Sequence, residues 1–199
     1  MKLIIATKNT GKLAEFQQLL LGLPFEIVSL ASYPNLPDIA ETGATFAENA
    51  ALKAETVAAV TGELALADDS GLEVDALNGR PGIFSARFAG AGADDKANNQ
   101  KLLAELSDVP EPQRTARFRA VIAVAQQGKP TEFAEGACEG RIGFTPRGTG
   151  GFGYDPLFYV PEAEKTFAQM APEEKNRISH RARAMAAAEE ILKKIADES

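Results

Sequence analysis

The group of side chains best suited to chemistry follows a short apolar run. Leu64 to Ala67 lead directly into Asp68, Asp69, Ser70 and Gly71. The run predicts a buried strand whose end carries two carboxylates. Because successive side chains of an extended chain point to opposite faces, only one carboxylate can face a given cleft, which argues against a paired-carboxylate glycosidase. A single carboxylate there suits Mg2+, which binds oxygen ligands and works with phosphate substrates.

A tight turn explains the same residues. Gly71 allows the chain to turn sharply, and Asp and Ser side chains commonly bond backbone amides at the ends of strands. The short segment by itself is therefore compatible with two interpretations, a metal site and a structural turn.

The loop at residues 7–12 is a second candidate site. It lies between a predicted strand at 3–6 and a helical pattern that begins near Leu13. Its residues are Thr7, Lys8, Asn9, Thr10, Gly11 and Lys12. Free amides and lysines at a helix N-terminus can hold phosphate, although a P-loop would have Ser or Thr where this chain has Leu13. A plain strand-to-helix turn with solvated lysines explains the loop equally well.

A glycine-rich segment at residues 147–156 is the third candidate site. Its glycines have the spacing of the dinucleotide-binding fingerprint, but Pro146 precedes the segment and Pro156 closes it, so that no helix begins there. We expect the segment instead to wrap a flat ligand, with aromatic rings for stacking and a carboxylate for polar contacts. The residues that can make these contacts are Phe152, Gly153, Tyr154 and Asp155.

Basic side chains gather near the start of the last predicted helix. Lys175, His180 and Arg181 lie there, where positive charge opposes the helix dipole and does not serve helix stability. Their side chains offer hydrogen-bond donors that a capped helix does not need. For His180 the alternative is a capping or surface imidazole.

The strands and helices predicted around these groups indicate an α/β fold, with a mixed sheet flanked by helices. Strands are expected at 3–6, 25–30, 64–67, 72–77, 115–126 and 132–144. Helices are expected from Leu13, from Thr45 to Thr61, from Asp94 or Asp95 to Leu106, from Pro172 and from Ser179. Asn49 and Lys53 share one face of the second helix. No repeat or linker divides the chain, which predicts a single domain over residues 1–199.

Composition limits the classes of function. The net charge of -7 argues against binding to nucleic acid or to anionic membranes. The single Cys138 excludes an intrachain disulfide. The apolar run at the start is too short for a signal peptide or a membrane span, so we expect a cytoplasmic protein.

Several blocks together resemble the inosine and xanthosine triphosphate pyrophosphatases, house-cleaning enzymes also called dITP/XTP pyrophosphatases. The resemblance covers nearly the whole chain. It is carried by residues 7–12, Glu41-Thr42-Gly43, Phe46 with Glu48-Asn49-Ala50 and Lys53, Ala67 to Gly71, Pro81-Gly82, Ser85-Ala86-Arg87, Gly148 to Pro156 and Ser179-His180-Arg181. Their order and number make the resemblance specific.

The resemblance implies Mg2+-dependent hydrolysis of deaminated purine nucleoside triphosphates (ITP, dITP and XTP) to a monophosphate and pyrophosphate. It also implies an elongated, two-lobed α/β fold that forms a homodimer. Glu41 and Asp69 would bind Mg2+, with Asp69 also the general base and Asp68 a supporting carboxylate. The implied substrate contacts are Thr7, Lys8, Asn9, Thr10, Gly11, Lys12, Lys53, Ser70, Phe152, Gly153, Tyr154, Asp155, Lys175, His180 and Arg181.

Two alternatives remain. The protein could be a pyrophosphatase for another modified nucleotide, such as a pyrimidine or methylated triphosphate. It could also be a nucleotide-binding module without turnover, although the intact carboxylates and the Glu41 block favour an enzyme.

Overall fold

A seven-stranded mixed sheet organises the computed structural model, which describes residues 1–198. The strands are β1 (Lys2–Ile5), β2 (Glu26–Ser29), β3 (Leu64–Val74), β4 (Thr115–Ala125), β5 (Glu132–Ile142), β6 (Phe158–Val160) and β7 (Lys165–Thr166). The helices are α1 (Thr10–Leu19), α2 (Phe46–Thr61), α3 (Asp95–Glu105), α4 (Pro172–Ile178) and α5 (His180–Asp197). Short 3-10 turns join several of them. Within residues 1–198, no helix is both long and apolar enough to cross a membrane.

Strand pairing confirms the predicted α/β fold with a mixed sheet. The strand order is β2-β1-β3-β4-β5-β6-β7. β1 pairs in parallel with β2 and β3, so that Ile4 lies opposite Val28 on one side and Ala65 on the other. β6 pairs antiparallel with both β5 and β7. The sheet therefore contains parallel pairs among β1, β2 and β3 and antiparallel pairs among β5, β6 and β7.

The second helix begins and ends close to the residues that the sequence indicates. The Thr45 side chain caps α2 by accepting a hydrogen bond from the Glu48 amide, and Gly62 ends the helix with a φ of 72°. Glu48 does not complete the predicted capping box, because its carboxylate accepts from the Ala44 amide at 2.6 Å, one residue before the cap. The helix start is therefore capped, but the bond from Glu48 goes to the amide one residue before the capping residue.

The acidic segment differs from the prediction. It was expected to leave a strand at Ala67 and to turn at Gly71, but Asp68 to Gly71 lie inside the eleven-residue strand β3. The turn interpretation is therefore wrong. The parallel neighbour ends earlier, since Ile5 of β1 lies opposite Leu66. The two carboxylates thus follow at the point where β3 continues past β1.

The described chain divides into two compact units. The first contains residues Met1–Asp69 and Ala120–Gly136 and the segment from Arg181 onward, and the second contains Ser70–Arg119 and Ala137–His180. In the first unit, aliphatic side chains of β1, β3 and β4 pack against α1 and α5 on one face and against α2 on the other. In the second, the core includes Phe118, Phe158 and Phe167. The single two-lobed domain remains a prediction.

Candidate active site

The two adjacent aspartates lie on opposite faces of β3, as strand geometry predicts. Leu66 belongs to the core cluster that contains side chains of α1 and α5, whereas Ala67 belongs to the cluster that contains α2. The alternation continues through Asp68 and Asp69, which contact α1 and α5 in the first case and α2 in the second. Each carboxylate therefore has its own set of partners.

Asp69 is joined to a small polar cluster on α2. The Asn49 side chain donates to Asp69 Oδ2 at 3.2 Å, and Lys53 Nζ lies 3.3 Å from Asp69 Oδ1. The same ammonium donates to Glu41 Oε1 at 2.8 Å. Because Asn49 and Lys53 are one helical turn apart, α2 presents both to the strand. The predicted metal ligands Glu41 and Asp69 thus share one cation.

Burial and charge act in opposite directions in this cluster. Burial raises the pKa of Asp69, and the nearby lysines only partly oppose that change. Burial lowers the pKa of Lys53, but Asp69, Asp68 and Glu41 together outweigh burial and raise it. Lys53 is thus held protonated, and Asp69 accepts a proton more readily than an ordinary aspartate does.

The donor set around Lys53 fits a magnesium ion. Two carboxylates contact the same Lys53 ammonium, which marks a position where a cation is favoured. Within residues 1–198, no cluster of three or more His, Cys, Asp or Glu side chains could enclose a metal. Mg2+ often binds through one or two carboxylates while retaining waters and phosphate oxygens as its other ligands. Glu41 and Asp69 would hold it here.

Asp68 makes a separate, more buried ion-pair network. Arg181 Nη2 lies 3.2 Å from Asp68 Oδ2, and Lys12 Nζ lies 3.2 Å from Asp68 Oδ1. Arg181 also donates to Glu15. Burial lowers the pKa of Arg181, but Asp68 and Glu15 raise it by more, whereas burial leaves the pKa of Lys12 lowered. The network therefore holds a fully buried guanidinium beside a less strongly basic lysine.

Of the two lysines in the loop at 7–12, only Lys12 contacts Asp68 in this network. Asn9 caps α1, because its Oδ1 accepts from the Lys12 amide at 3.0 Å, and this cap directs Lys12 along the first turn. Thr7 Oγ1 accepts from the Asn9 amide at 3.2 Å. Lys8 is exposed and donates to Asp38. Thr10 and Gly11 form the first turn of α1. The predicted phosphate-binding roles of these residues remain predictions.

In the second unit, the glycine-rich segment is closed around Asp155. Asp155 is buried, with only 3% of the residue exposed. Its Oδ2 accepts from the Phe152 amide at 3.0 Å and from Lys175 Nζ at 2.6 Å. Lys175 also lies 5.0 Å from the centre of the Phe152 ring. The segment is thus tied to α4 through a buried ion pair.

Two glycines of this segment lie very close to other atoms of the protein. A Cβ atom at Gly151 would lie 2.0 Å from Asp155 Oδ2, and one at Gly148 would lie 2.4 Å from the backbone of Ala168. Both also have positive φ values, 72° and 84°. A side chain at either position would therefore disturb the closed arrangement.

Tyr154 and His180 are packed inside the second unit. The Tyr154 hydroxyl donates to the Ser85 carbonyl at 2.7 Å, and burial raises the pKa of the phenol. The His180 imidazole stacks on Phe118, with ring centres 4.8 Å apart. His180 is therefore not the surface imidazole of the alternative interpretation. The substrate contacts expected of both residues remain predictions.

The basic cluster expected at the last helix is divided between the two units. Lys175 and His180 belong to the second, whereas Arg181 belongs to the first and contacts Asp68 and Glu15. Sequence reasoning missed Glu15. It lies three residues after Lys12 on α1, and this spacing on one helix face is the pattern that could have found it. Ser70 follows Asp69 directly in β3.

The sequence and the structure both match known proteins. A family model described as the Ham1 family matches residues 3–191. The chain is 55% identical over 195 residues to the dITP/XTP pyrophosphatase of Desulforamulus reducens, covering 98% of this chain and 97% of that one. It is 54% identical over 194 residues to the protein of the same name from Geobacillus kaustophilus, with 98% and 95% covered.

Two solved structures share the fold. The Staphylococcus aureus Ham1 protein matches with a TM-score of 0.86 and 39% identity over 100% of both chains. A HAM1 protein from Coxiella burnetii matches with a TM-score of 0.87 and 43% identity over 99% of both. The matches in sequence and fold extend over the same nearly complete length, and the chain belongs to the Ham1 family.

Proposed function

We propose that this protein hydrolyses the deaminated purine nucleoside triphosphates ITP, dITP and XTP to a monophosphate and pyrophosphate, with Mg2+ as cofactor. The observation that carries the proposal is the Lys53 ammonium bonded to both Glu41 and Asp69. Such a cluster can supply both a metal position and a general base. The names of the relatives, dITP/XTP pyrophosphatase, support the substrate class.

The proposed reaction needs few protein groups. The oxygen of a water molecule attacks the α-phosphorus, and the bond to the oxygen that bridges the α- and β-phosphates breaks, so that pyrophosphate leaves with the bonding electrons. Asp69 accepts the proton of the water, for which its raised pKa is suited. Mg2+, held by Glu41 and Asp69, would polarise phosphate oxygens and neutralise their charge.

Cations of the first unit serve the triphosphate in this proposal. Lys12 lies beside Asp68 on one face of β3 and Lys53 lies beside Asp69 on the other, so each can exchange its carboxylate partner for a phosphate oxygen. The amides of residues 7–12 add donors at the N-terminus of α1. Phosphoryl transfer depends mainly on such positioning and charge stabilisation.

Groups of the second unit serve the purine. Phe152 offers a ring face, and Lys175 and His180 offer donors for a 6-oxo oxygen. Adenine has an amino donor at that position, so a site lined with donors would leave buried groups unpaired when ATP binds. Sites of this kind can discriminate by about 10⁴-fold. ATP is therefore expected to be a poor substrate, while GTP, which shares the 6-oxo group, must be rejected by another contact.

The test is a panel of ITP, dITP, XTP, GTP, ATP and modified pyrimidine triphosphates, with Mg2+ and after chelation. Pyrophosphate and monophosphate should form in equal amounts from the deaminated purines, and chelation should stop both. Primary release of single phosphate would overturn the proposed bond. Turnover of a pyrimidine or methylated nucleotide alone would favour the other substrate class, and binding without turnover would favour a regulatory module.

Cytoplasmic residence and a homodimeric state also belong to the proposal. The mass from light scattering should be twice that of the 21.1 kDa chain. A monomeric mass at the concentration of the activity assay would contradict the dimer but not the proposed reaction.

A further inference from the structure

Helix α3 holds both hydrogen-bonding groups of Gly153. The Gly153 amide donates to Asp95 Oδ2 at 2.7 Å, and the Asn99 side-chain amide donates to the Gly153 carbonyl at 2.8 Å. Asp95 and Asn99 are four residues apart, so they lie on the same face of α3. One helix face therefore fixes the backbone of the glycine-rich segment at a single residue.

The helix that provides these contacts is itself well anchored. Asp94 caps its N-terminus by accepting from the Ala97 amide at 2.7 Å. Asn98, only 3% exposed, accepts from the Ala89 amide at 2.7 Å and donates to the Ala86 carbonyl at 3.2 Å. Leu102 is fully buried in the core of the second unit. These contacts make α3 a rigid support.

Asn99 has no evident reason to be present other than this contact. Its Oδ1 atom is buried without a hydrogen-bond partner among residues 1–198. A buried unsatisfied acceptor is destabilising and offsets the favourable bond that Nδ2 makes. The side chain therefore contributes little to stability on balance, although it fixes the Gly153 carbonyl.

Gly153 separates the groups that the proposed function assigns to the purine. Phe152 precedes it, and Asp155, the partner of Lys175, follows two residues later. A glycine peptide has more conformational freedom than any other, so the surrounding ring and ion pair stay in place only if that peptide is held. The bonds from α3 provide this restraint.

We propose that Asp95 and Asn99 are positioning residues for purine recognition: through the Gly153 peptide they hold Phe152 and the Asp155–Lys175 pair in the arrangement that receives a 6-oxo purine. This inference rests on the proposed function. Neither residue contacts the substrate. Displacement of a binding group by about 1 Å can cost up to about 100-fold in rate, so losing the restraint should lower selectivity.

The test compares kcat/KM on ITP and on ATP. Asp95→Ala and Asn99→Ala should each lower kcat/KM for ITP about tenfold, mainly through KM, and shrink the ratio of ITP to ATP. Asp95→Asn keeps an acceptor for the Gly153 amide and should retain most of the ratio. Asn99→Ala should keep a melting temperature close to that of the wild type. Hydrogen exchange at the Gly153 amide should accelerate in Asp95→Ala and much less in Asp95→Asn.

Asp94→Ala is the matched control. It removes the cap that helps to anchor α3 but removes no bond to Gly153, so it should lower the melting temperature and reduce the ITP to ATP ratio less than Asp95→Ala does. An equal fall of the ratio in Asp94→Ala and Asp95→Ala, or an unchanged ratio in Asp95→Ala when the wild type is selective, would overturn the inference alone. A wild type with equal kcat/KM on ITP and ATP would overturn the proposed function and, with it, the inference.

Discussion

The charged clusters of the two units are built in opposite ways. In the first unit, Asp69 and Glu41 share the Lys53 ammonium, and burial raises the pKa of Asp69. In the second, Asp155 and Lys175 form a closed pair at 2.6 Å, with side chains 4% and 6% exposed. The first cluster has charges that a ligand could exchange, whereas the second has charges that are already matched.

This difference fits two separate tasks. A triphosphate and a cation bind to charged side chains that exchange one partner for another during binding and reaction. Before binding, such charges are poorly stabilised by the protein itself. A planar base needs donors and rings at fixed positions, which a closed ion pair and a restrained backbone can provide. We therefore expect charges in the Lys53 cluster to matter for turnover and those around Asp155 to matter for stability.

Asp69→Asn should have the largest effect on turnover. The amide cannot accept the proton of the water, and loss of a general base costs about 10²- to 10⁴-fold in kcat. The free energy of unfolding should not fall, because burial disfavours the ionised Asp69 that the variant replaces. Steady-state kinetics with Mg2+ and urea denaturation with a chelator measure the two quantities. A clear loss of stability with normal turnover would mean that the Asp69 carboxylate serves stability and not turnover.

Asp155→Asn should have the largest effect on stability. It leaves Lys175 buried without its ionised partner, and breaking a buried pair in this way costs about 3–5 kcal/mol. Urea denaturation at neutral pH would measure the loss. The double substitution Asp155→Asn with Lys175→Met is the control, since it removes both charges and should recover part of the stability. No loss in the single variant would show that the pair is not a structural element.

The sequence predicted the local features of the first unit better than its long-range contacts. Strand alternation correctly separated Asp68 from Asp69, and Thr45 and Gly62 correctly bounded α2, because each depends on neighbouring residues alone. The continuation of β3 past Ala67 was missed because strand neighbours distant in sequence determine it.

The ion pairs show the same limit. Arg181 was grouped with Lys175 and His180 by proximity in the chain, yet its guanidinium contacts Glu15, which is 166 residues away in sequence. The contact of Asp155 with Lys175 spans twenty residues that include β6, β7 and the start of α4. No periodic pattern reports such pairs, so only the fold could identify these partners.

Asp68→Asn tests whether the comparison holds within the first unit. Asp68 faces the fully buried Arg181, so it should behave like Asp155 and not like its neighbour Asp69. Arg181 would keep Glu15, and we therefore expect a moderate loss of about 2 kcal/mol in the free energy of unfolding. Its kcat should fall less than that of Asp69→Asn. The opposite ranking in kcat would show that Asp68, not Asp69, is the general base.

Asp75→Asn should give the smallest effect, and its pH dependence identifies the cause. Thr115 Oγ1 donates to Asp75 at 2.6 Å and Arg117 lies 3.0 Å away, and these contacts lower the pKa of Asp75 below its ordinary value of 3.8. Because the side chain is 45% exposed, solvent screening should keep the contribution below about 1 kcal/mol.

A lowered pKa in the folded state stabilises the protein above the unfolded value and is lost as the pH falls through the folded value. The difference in unfolding free energy between wild type and Asp75→Asn should therefore be constant above about pH 5 and shrink below pH 3.8. Urea denaturation of both proteins across this range measures it. A difference that grows as the pH falls would mean that Asp75 is not held in its ionised form by Thr115 and Arg117.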